Sequence, residues 1–470
     1  MSETVLENKV FDEITIGESA RIVRRLTKRD IELFAVVTGD LNPTHIDQQF
    51  AKEPSALVAH RLLGGALFSA VLGTKLPGPG TIYHKQELSF FQPMHIDDVI
   101  EARVTVCGKD PIQKIVFLDC VAVNQRGEEI VKGVAQVFAP TEKVSRPFTD
   151  LPEVEVVHHD RLRQLIENAQ KHPALRTAVI HPCDQVSLEG AIDAAKENLI
   201  VPVFVGPESK IRAAADAARI DISGYEIVSV PHSHAAAEMG AVLARDGKVG
   251  ALMKGSLHSD EYLSAVLGKN SGLRTDRRMS HVFAMDVPTY KWPLLITDAA
   301  LNIAPDLPTK RDICQNAVYL AHDIGLEKPK AALLAAAETV SFGMPATMDA
   351  AILCKMADRG QIEGGVFDGP LAFDNAISME AVRIKKITSL VAGQADLLIA
   401  PNIEAGNMMV KQLVYLAAAV AAGIVVGAKV PVMLTSRADP ANARMASAAL
   451  AVLAAEGDRK RAEATLAGKA

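Results

Sequence analysis

The segment Thr38-Gly39-Asp40-Leu41-Asn42-Pro43-Thr44-His45 sets a carboxylate and an imidazole five positions apart, among the turn formers Gly39, Asn42 and Pro43. An acid and a histidine facing one water can divide general-base and general-acid work between them. Adding water across a conjugated thioester needs that pair, plus donors for the enolate oxygen that develops. The same residues equally fit a plain turn, closed by Asp40 and Asn42, with His45 packed in a core. A second set of polar residues follows apolar runs further along the chain. Lys254-Gly255-Ser256 stands ahead of a helical stretch, where a lysine and free helix N–H groups can cradle an anion. Thr297-Asp298, Gly406-Asn407 and Thr435-Ser436-Arg437-Ala438-Asp439-Pro440 each follow a short apolar strand. Each has a structural alternative: a solvated lysine, a turn capped by Asn407, or a helix N-cap at Asp439 with proline behind it.

These residues need elements to hold them, and the texture of the chain changes near residue 140. Before it, runs 86–91, 99–107, 115–123 and 129–138 are rich in valine, isoleucine and phenylalanine and predict consecutive antiparallel strands. They follow one long apolar segment, 60–72, so the expectation is an α+β domain, a helix wrapped by a sheet whose edge and open face favour a second copy. Residues 141–155, with prolines at 147 and 152 just after Pro140, read as a linker. From about residue 156 strands alternate with alanine-rich helices. The runs 177–180, 201–205, 225–230, 249–253, 281–287, 294–298, 332–336, 396–400 and 430–435 predict a mostly parallel doubly wound α/β design. In such sheets ligands bind at the carboxyl ends of strands, and the four polar loops are expected to converge on one sheet edge. More than 300 residues of this pattern predict two lobes with a cleft, the first about 156–290 plus 435–470 and the second about 291–434. The apolar stretch 413–428 is interrupted by Gly423 and Gly427 and reads as a buried helix running into a strand, not a membrane span. The charged, alanine-rich end, 457–470, reads as a frayed helical tail.

At 470 residues, with 49% hydrophobic and 23% charged residues and a formal charge of −6, the chain has a globular profile. No basic arm or lysine run is present, which argues against a nucleic-acid partner. Residues 1–10 carry acids and no apolar core, so no signal peptide is expected there, and a cytoplasmic location follows. Five scattered cysteines without a CxxC pair predict reduced thiols, neither a disulfide framework nor a metal site.

The Asp40–His45 segment, with Leu57-Val58-Ala59-His60 and Leu76-Pro77-Gly78-Pro79-Gly80-Thr81-Ile82-Tyr83, closely resembles the MaoC-like hydratases, hot-dog-fold enzymes acting on enoyl-CoA. The resemblance spans roughly residues 10–140, within a domain 1–140, and implies that Asp40 and His45 are the catalytic acid and histidine. It also implies that the central hot-dog helix starts near His60. That family has glycine where this chain has Arg61, at the point where helix N–H groups approach the thioester oxygen. The forked donors of Arg61 suit a coenzyme A phosphate.

Nearly the whole of residues 155–460, within a domain 156–470, resembles the phosphate acetyl- and butyryltransferases, a two-lobed α/β fold. The resemblance rests on His181-Pro182-Cys183-Asp184, Val205-Gly206-Pro207, Met253-Lys254-Gly255, Ser280-His281-Val282-Phe283 and Ile296-Thr297-Asp298-Ala299-Ala300. It continues through Asp368-Gly369-Pro370-Leu371-Ala372, Gly406-Asn407 and Thr435-Ser436-Arg437-Ala438-Asp439. It implies reversible acyl transfer between coenzyme A and phosphate, with Ser436 and Arg437 as the active-site pair. Asp439 is the nearest acid to serve as base. Lys254, Gly255, Asp298, Gly406 and Asn407 are then expected to bind coenzyme A or the acyl phosphate. The surroundings of Pro345 and Ser436 lean toward the butyryl branch. Taken together, the resemblances imply a bifunctional homo-oligomer acting on small molecules (acyl-CoA, acyl phosphate, phosphate), with no tightly bound cofactor or metal. The competing reading is an acyl-CoA-sensing module behind a hot-dog scaffold without chemistry.

Overall fold

The computed structural model describes residues 5–47, 50, 57–147, 154, 160–290, 293–434 and 440–467. The chain forms two compact units, Met1–Val157 and His158–Ala470.

In the first unit the strands are β1 (Val5–Glu7), β2 (Ser19–Arg25), β3 (Ile82–Phe90), β4 (Val99–Asp110), β5 (Ile115–Val123), β6 (Glu129–Phe138) and β7 (Ser145–Pro147). A five-stranded antiparallel sheet has the order β2-β4-β5-β6-β3. Period-two alternation shapes it: Ile100, Ala102, Val104 and Val106 on β4 are buried, while Glu101, Arg103 and Thr105 between them are not. The sheet wraps the helix α3 (Arg61–Thr74), whose Phe68, Val71 and Leu72 enter the same core as the sheet's inner face. This is the α+β hot-dog arrangement. Two shorter helices, α1 (Lys28–Thr38) and α2 (Pro43–Ile46), lie between β2 and α3.

Two expectations about this unit change. The strands are not simply consecutive: β3 pairs with β6, not with β4, because both edges of β4 are taken, by β2 and β5. The proline-bearing stretch after residue 140 is not all loop. Its β7 pairs with β1, and buried Asn8 holds Glu142 O at 2.8 Å and receives Val144 N–H at 2.9 Å.

In the second unit the strands are β8 (Leu175–Ile180), β9 (Ile200–Gly206), β10 (Glu226–Ser229), β11 (Ala251–Lys254), β12 (Ser280–Asp286) and β13 (Leu294–Thr297). They continue with β14 (Lys330–Leu334), β15 (Val366–Leu371), β16 (Leu397–Ile399), β17 (Val420–Val426) and β18 (Val432–Met433). One eleven-stranded sheet runs β10-β9-β8-β11-β18-β17-β12-β13-β16-β14-β15. Pairing is parallel from β10 to β18 and again from β13 to β15. Three antiparallel pairings, β18–β17, β17–β12 and β12–β13, lie between those blocks.

That reversal corrects the expectation of four loops on one sheet edge. Strands β11 and β18 run one way and β13 and β16 the other. Strands β11 and β18 therefore end, with Lys254, at one end of the sheet, and the turn bearing Asp298 and the start of the helix bearing Asn407 (Ile403–Leu416) lie at the opposite end. Two further readings also change. Within 413–428 burial centres on β17 with Ala419 and Ala428; the preceding helix, Ile403–Leu416, ends with Tyr415 80% and Leu416 84% exposed. The chain end is not frayed: a helix runs unbroken over Ala441–Ala467, and Arg461 clasps the buried Asp323 at 2.6 and 2.9 Å. Its alanines Ala446, Ala448, Ala449, Ala451 and Ala454 let it sink into the core, and Ser447 receives the N–H of Gly423 on β17.

Candidate active sites

In the first unit local capping builds the site. Thr27 and Asp30 form a capping box that starts α1, and Gly39 at φ 72° ends it. The chain then turns through Asp40, and Asn42 caps α2 with proline at its start. His45 is thereby carried under His60, the N-cap of α3, with ring centroids 3.9 Å apart. The Nδ1 of His45 lies 2.5 Å from Val58 O. A carbonyl only accepts, so Nδ1 carries the proton and Nε2 presents a lone pair. Asp40 is half-exposed; its Oδ1 receives the N–H of Asn42 at 3.2 Å, and its Oδ2 stands 3.8 Å from His60 Nε2.

These residues line a pocket of about 720 Å³ with Phe34, Thr44, Val58, Arg61 and Leu62. Leu63 N–H is given to His60 O at 2.9 Å, and with no side-chain cap bond from His60 the N–H groups of Arg61 and Leu62 are left for an oxyanion. Arg61 is the first residue of α3, and its guanidinium donates to Phe91 O at 3.4 Å. The sequence reading paired Asp40 with His45 but missed His60. Its signal was a histidine at the start of the long apolar segment.

In the second unit β8, β11 and β18 are parallel neighbours, and the loops that follow β8 and β11 lie side by side. Gly255 donates to Ile180 O at 2.9 Å and Ser256 N–H to His181 O at 2.9 Å. The Ser256 hydroxyl donates to His181 O at 2.8 Å and accepts Cys183 N–H at 3.0 Å. The ring Nδ1 of His181 stands 3.4 Å from that hydroxyl, and burial holds this imidazole below its ordinary pKa. Burial also pushes the Cys183 thiol up to about 11. A Cβ on Gly255 would stand 2.4 Å from Ile180 O, so only glycine lets the two loops meet. Lys254, the last residue of β11, is buried at 9% exposure. The register sets Leu252 beside Val432 and Met253 beside Met433, so β18 ends beside the end of β11. Ser436, Arg437 and Asp439 themselves lie outside the described residues.

At the other end of the strands, Asp298 is buried and saturated. Its Oδ1 accepts the N–H of Ala300 and Leu301, and its Oδ2 those of His281 and Asn302 and the Asn302 amide at 2.6 Å. A carboxylate so engaged holds the turn that follows β13. Gly406 and Asn407 serve the same turn. A Cβ on Gly406 would lie 2.6 Å from Asp298 O, and the Asn407 amide donates to Ala299 O at 3.0 Å. Among the described residues no helix is long and apolar enough to cross a membrane.

The MaoC like domain family matches residues 13–124, and the family described as phosphate acetyl/butaryl transferase matches residues 232–452. The phosphate acetyltransferase of Rhizobium meliloti is 56% identical over 290 residues, covering 62% of this chain and 92% of that protein. The phosphate butyryltransferase of Clostridium acetobutylicum is 42% identical over 292 residues, covering 62% of this chain and 97% of that protein. The crystal structure of a branched-chain phosphotransacylase from Enterococcus faecalis V583 superposes with a TM-score of 0.53 at 30% identity, covering 60% of this chain and 99% of that one. The chain thus carries a MaoC-like domain ahead of its larger unit, and by that larger unit it belongs to the phosphate acetyl/butyryl transferase family.

Proposed function

We propose that the second unit transfers an acyl group reversibly between coenzyme A and phosphate, and that the first hydrates a trans-2-enoyl-CoA to the (R)-3-hydroxyacyl-CoA. The observation that carries the first activity is the 56% identity sustained over 92% of an acetyltransferase. In the reaction the thiol sulfur attacks the acyl-phosphate carbonyl, the bond from that carbon to the phosphate oxygen breaks, and the thiol proton passes to a base. Negative charge grows at the carbonyl oxygen, so cationic donors are required. By resemblance Arg437 holds the phosphate or the oxyanion bidentately, Ser436 orients the thiol and Asp439 takes its proton. Lys254 and Gly255 close β11, the strand paired with β18, and are read as part of the same site.

Attack takes place in a ternary complex, without an acyl-enzyme. A thiol as reluctant to ionise as Cys183 is a poor acyl carrier at neutral pH. The unit works as two lobes, about 156–290 plus 435–470 and 291–434. Mixing the protein with coenzyme A and acetyl or butyryl phosphate tests the reading. Thioester formation that collapses in Arg437→Ala supports it. Acyl-CoA binding without turnover overturns it in favour of a sensor.

For hydration, water adds its oxygen to Cβ of the enoyl group and a proton to Cα. Asp40 and the Nε2 of His45 share the proton work, and the first-turn N–H groups of α3 receive the enolate oxygen. Arg61 points its charge at Phe91 O and leaves its backbone N–H in place, so the arginine is compatible with that role. Loss of the conjugated-thioester absorbance of crotonyl-CoA is the assay. A double change of Asp40 and His45 to alanine that leaves the rate untouched refutes this half. The protein is read as a cytoplasmic homo-oligomer; β3, at one edge of the hot-dog sheet, leaves Ile82 64% and Tyr83 40% exposed for a second copy.

A further inference from the structure

Asp40, His45 and His60 are separated by four and fourteen residues, a spacing that matches no metal motif, yet the fold gathers them. One ligand atom from each lies within 4.8 Å of the others. Two imidazoles and a carboxylate are a donor set for divalent transition metals. Atoms bound tetrahedrally to one zinc at about 2.0–2.1 Å stand about 3.4 Å apart. The 3.8 Å between His60 Nε2 and Asp40 Oδ2 therefore needs a few tenths of an ångström of closure. Asp40 can supply it, being about half exposed.

Three further features suit a ligand role. His45 gives its Nδ1–H to the Val58 carbonyl, the outer-shell bond that fixes a metal-binding imidazole and leaves Nε2 to bind. Asn42 N–H holds Asp40 Oδ1 and leaves Oδ2 toward the cluster. His60 is 3% exposed, and its Nδ1 has no hydrogen-bond partner among the described residues. Its Nε2 stands 3.2 Å from Asp40 O, a carbonyl that only accepts, so the metal-free ring carries its proton on Nε2, and metal binding through that atom breaks this bond and moves the proton to Nδ1. A buried imidazole with one ring nitrogen left unpartnered is an uncommon arrangement for a group that only packs.

We infer that Asp40, His45 and His60 bind one divalent transition-metal ion, Zn²⁺ being the representative case, with a fourth position open to the pocket. Occupation ties up the Asp40 carboxylate and the His45 lone pair. The ion therefore acts as an inhibitor of any acid–base chemistry there, held in competition with substrate. The binding itself does not depend on the hydration reading.

The test is calorimetric titration of the chelator-treated full chain with Zn²⁺ near pH 7, with Co²⁺ absorption as a geometric readout. The expected result is one saturable site per chain, a tetrahedral-type cobalt spectrum, and an affinity at least about tenfold weaker in both His60→Gln and Asp40→Asn. Asp40 is exposed, so Asp40→Asn keeps the fold even where the buried His60 change does not. Saturation unchanged in Asp40→Asn, or no saturable site in the unaltered chain, overturns the proposal. Crotonyl-CoA hydration is followed in parallel: zinc inhibition reversed by chelator supports competition. Absence of hydration at every metal level counts against the hydratase reading alone, since the titration still reports the site.

Discussion

Gly255→Ala is the sharpest test of how the second unit assembles its transferase edge. The added Cβ would stand 2.4 Å from Ile180 O, 2.8 Å from His181 O and 2.9 Å from His181 C. All three are backbone atoms at the end of β8, so no side-chain rotation relieves the contact. Ordinary contact begins near 3.4 Å, and the loops must therefore separate by about 1 Å. Separation strains the bonds from Gly255 N–H to Ile180 O and from Ser256 N–H to His181 O, and displaces Lys254 and Ser256 together. Overpacking of this kind costs about 1–3 kcal/mol, and a 1 Å misplacement near reacting groups costs about 10²-fold in rate. The assay is thioester formation from coenzyme A and acetyl phosphate, with thermal unfolding alongside. Gly224→Ala is the control, since a Cβ there meets nothing within 4 Å. The expected outcome is a Gly255→Ala protein that melts a few degrees lower and loses most of its kcat, with Gly224→Ala unchanged. A rate within about threefold of the parent, with an unchanged melting point, would refute the claim that this glycine joins the two loops.

Other perturbations have definite outcomes. Asp323→Ala removes the buried partner of Arg461 and should destabilise the second unit by about 2–3 kcal/mol, allowing for the partial exposure of the arginine. Denaturant titration of the single tryptophan, Trp292, reads this, and an unshifted midpoint would mean the terminal helix is not docked. His281 is buried and held below its ordinary pKa by desolvation, with the charge of Asp298 opposing. As pH falls below about 6.5 the unfolded chain takes up this proton first, so stability declines by at most about 1.4 kcal/mol per pH unit. The decline ends once the folded group also protonates. His281→Asn should flatten that slope, and equal slopes in parent and variant would remove His281 from the account. Cys183→Ser should retain turnover within about threefold, because burial keeps this thiol protonated; abolished turnover, or a trapped acyl-Cys183, would contradict the ternary-complex reading.

Much of the site was legible because its residues are local. Asp40, Asn42, Pro43 and His45 form one turn whose types prescribe caps and loop, and Lys254-Gly255-Ser256 ends a strand visible as an apolar run. His60 was not read as a partner of Asp40, because twenty residues and a helix start separate them. Asp298 was read as ligand-binding because its polarity follows a strand; the turn it holds was not visible. Five N–H donors converge on its carboxylate, and they come from three separate residues of its own turn and from His281 on β12.

Alternation and punctuation in the sequence determined the two kinds of fold, the strand-rich front and the βα rhythm behind it, since periods of 2.0 and 3.6 are local consequences of backbone geometry. Only the tertiary structure decided strand direction and partnership: β3 against β6, and the three antiparallel pairings that place the loops of β11 and β13 at opposite ends of the strands. Short apolar strands such as Leu397–Ile399 and Val432–Met433 look alike from either end. Their direction and neighbours are set by which connections cross the sheet and by long-range burial. The same holds for the terminal helix, whose charged residues look solvated in sequence until Asp323, 138 residues away, is brought to Arg461.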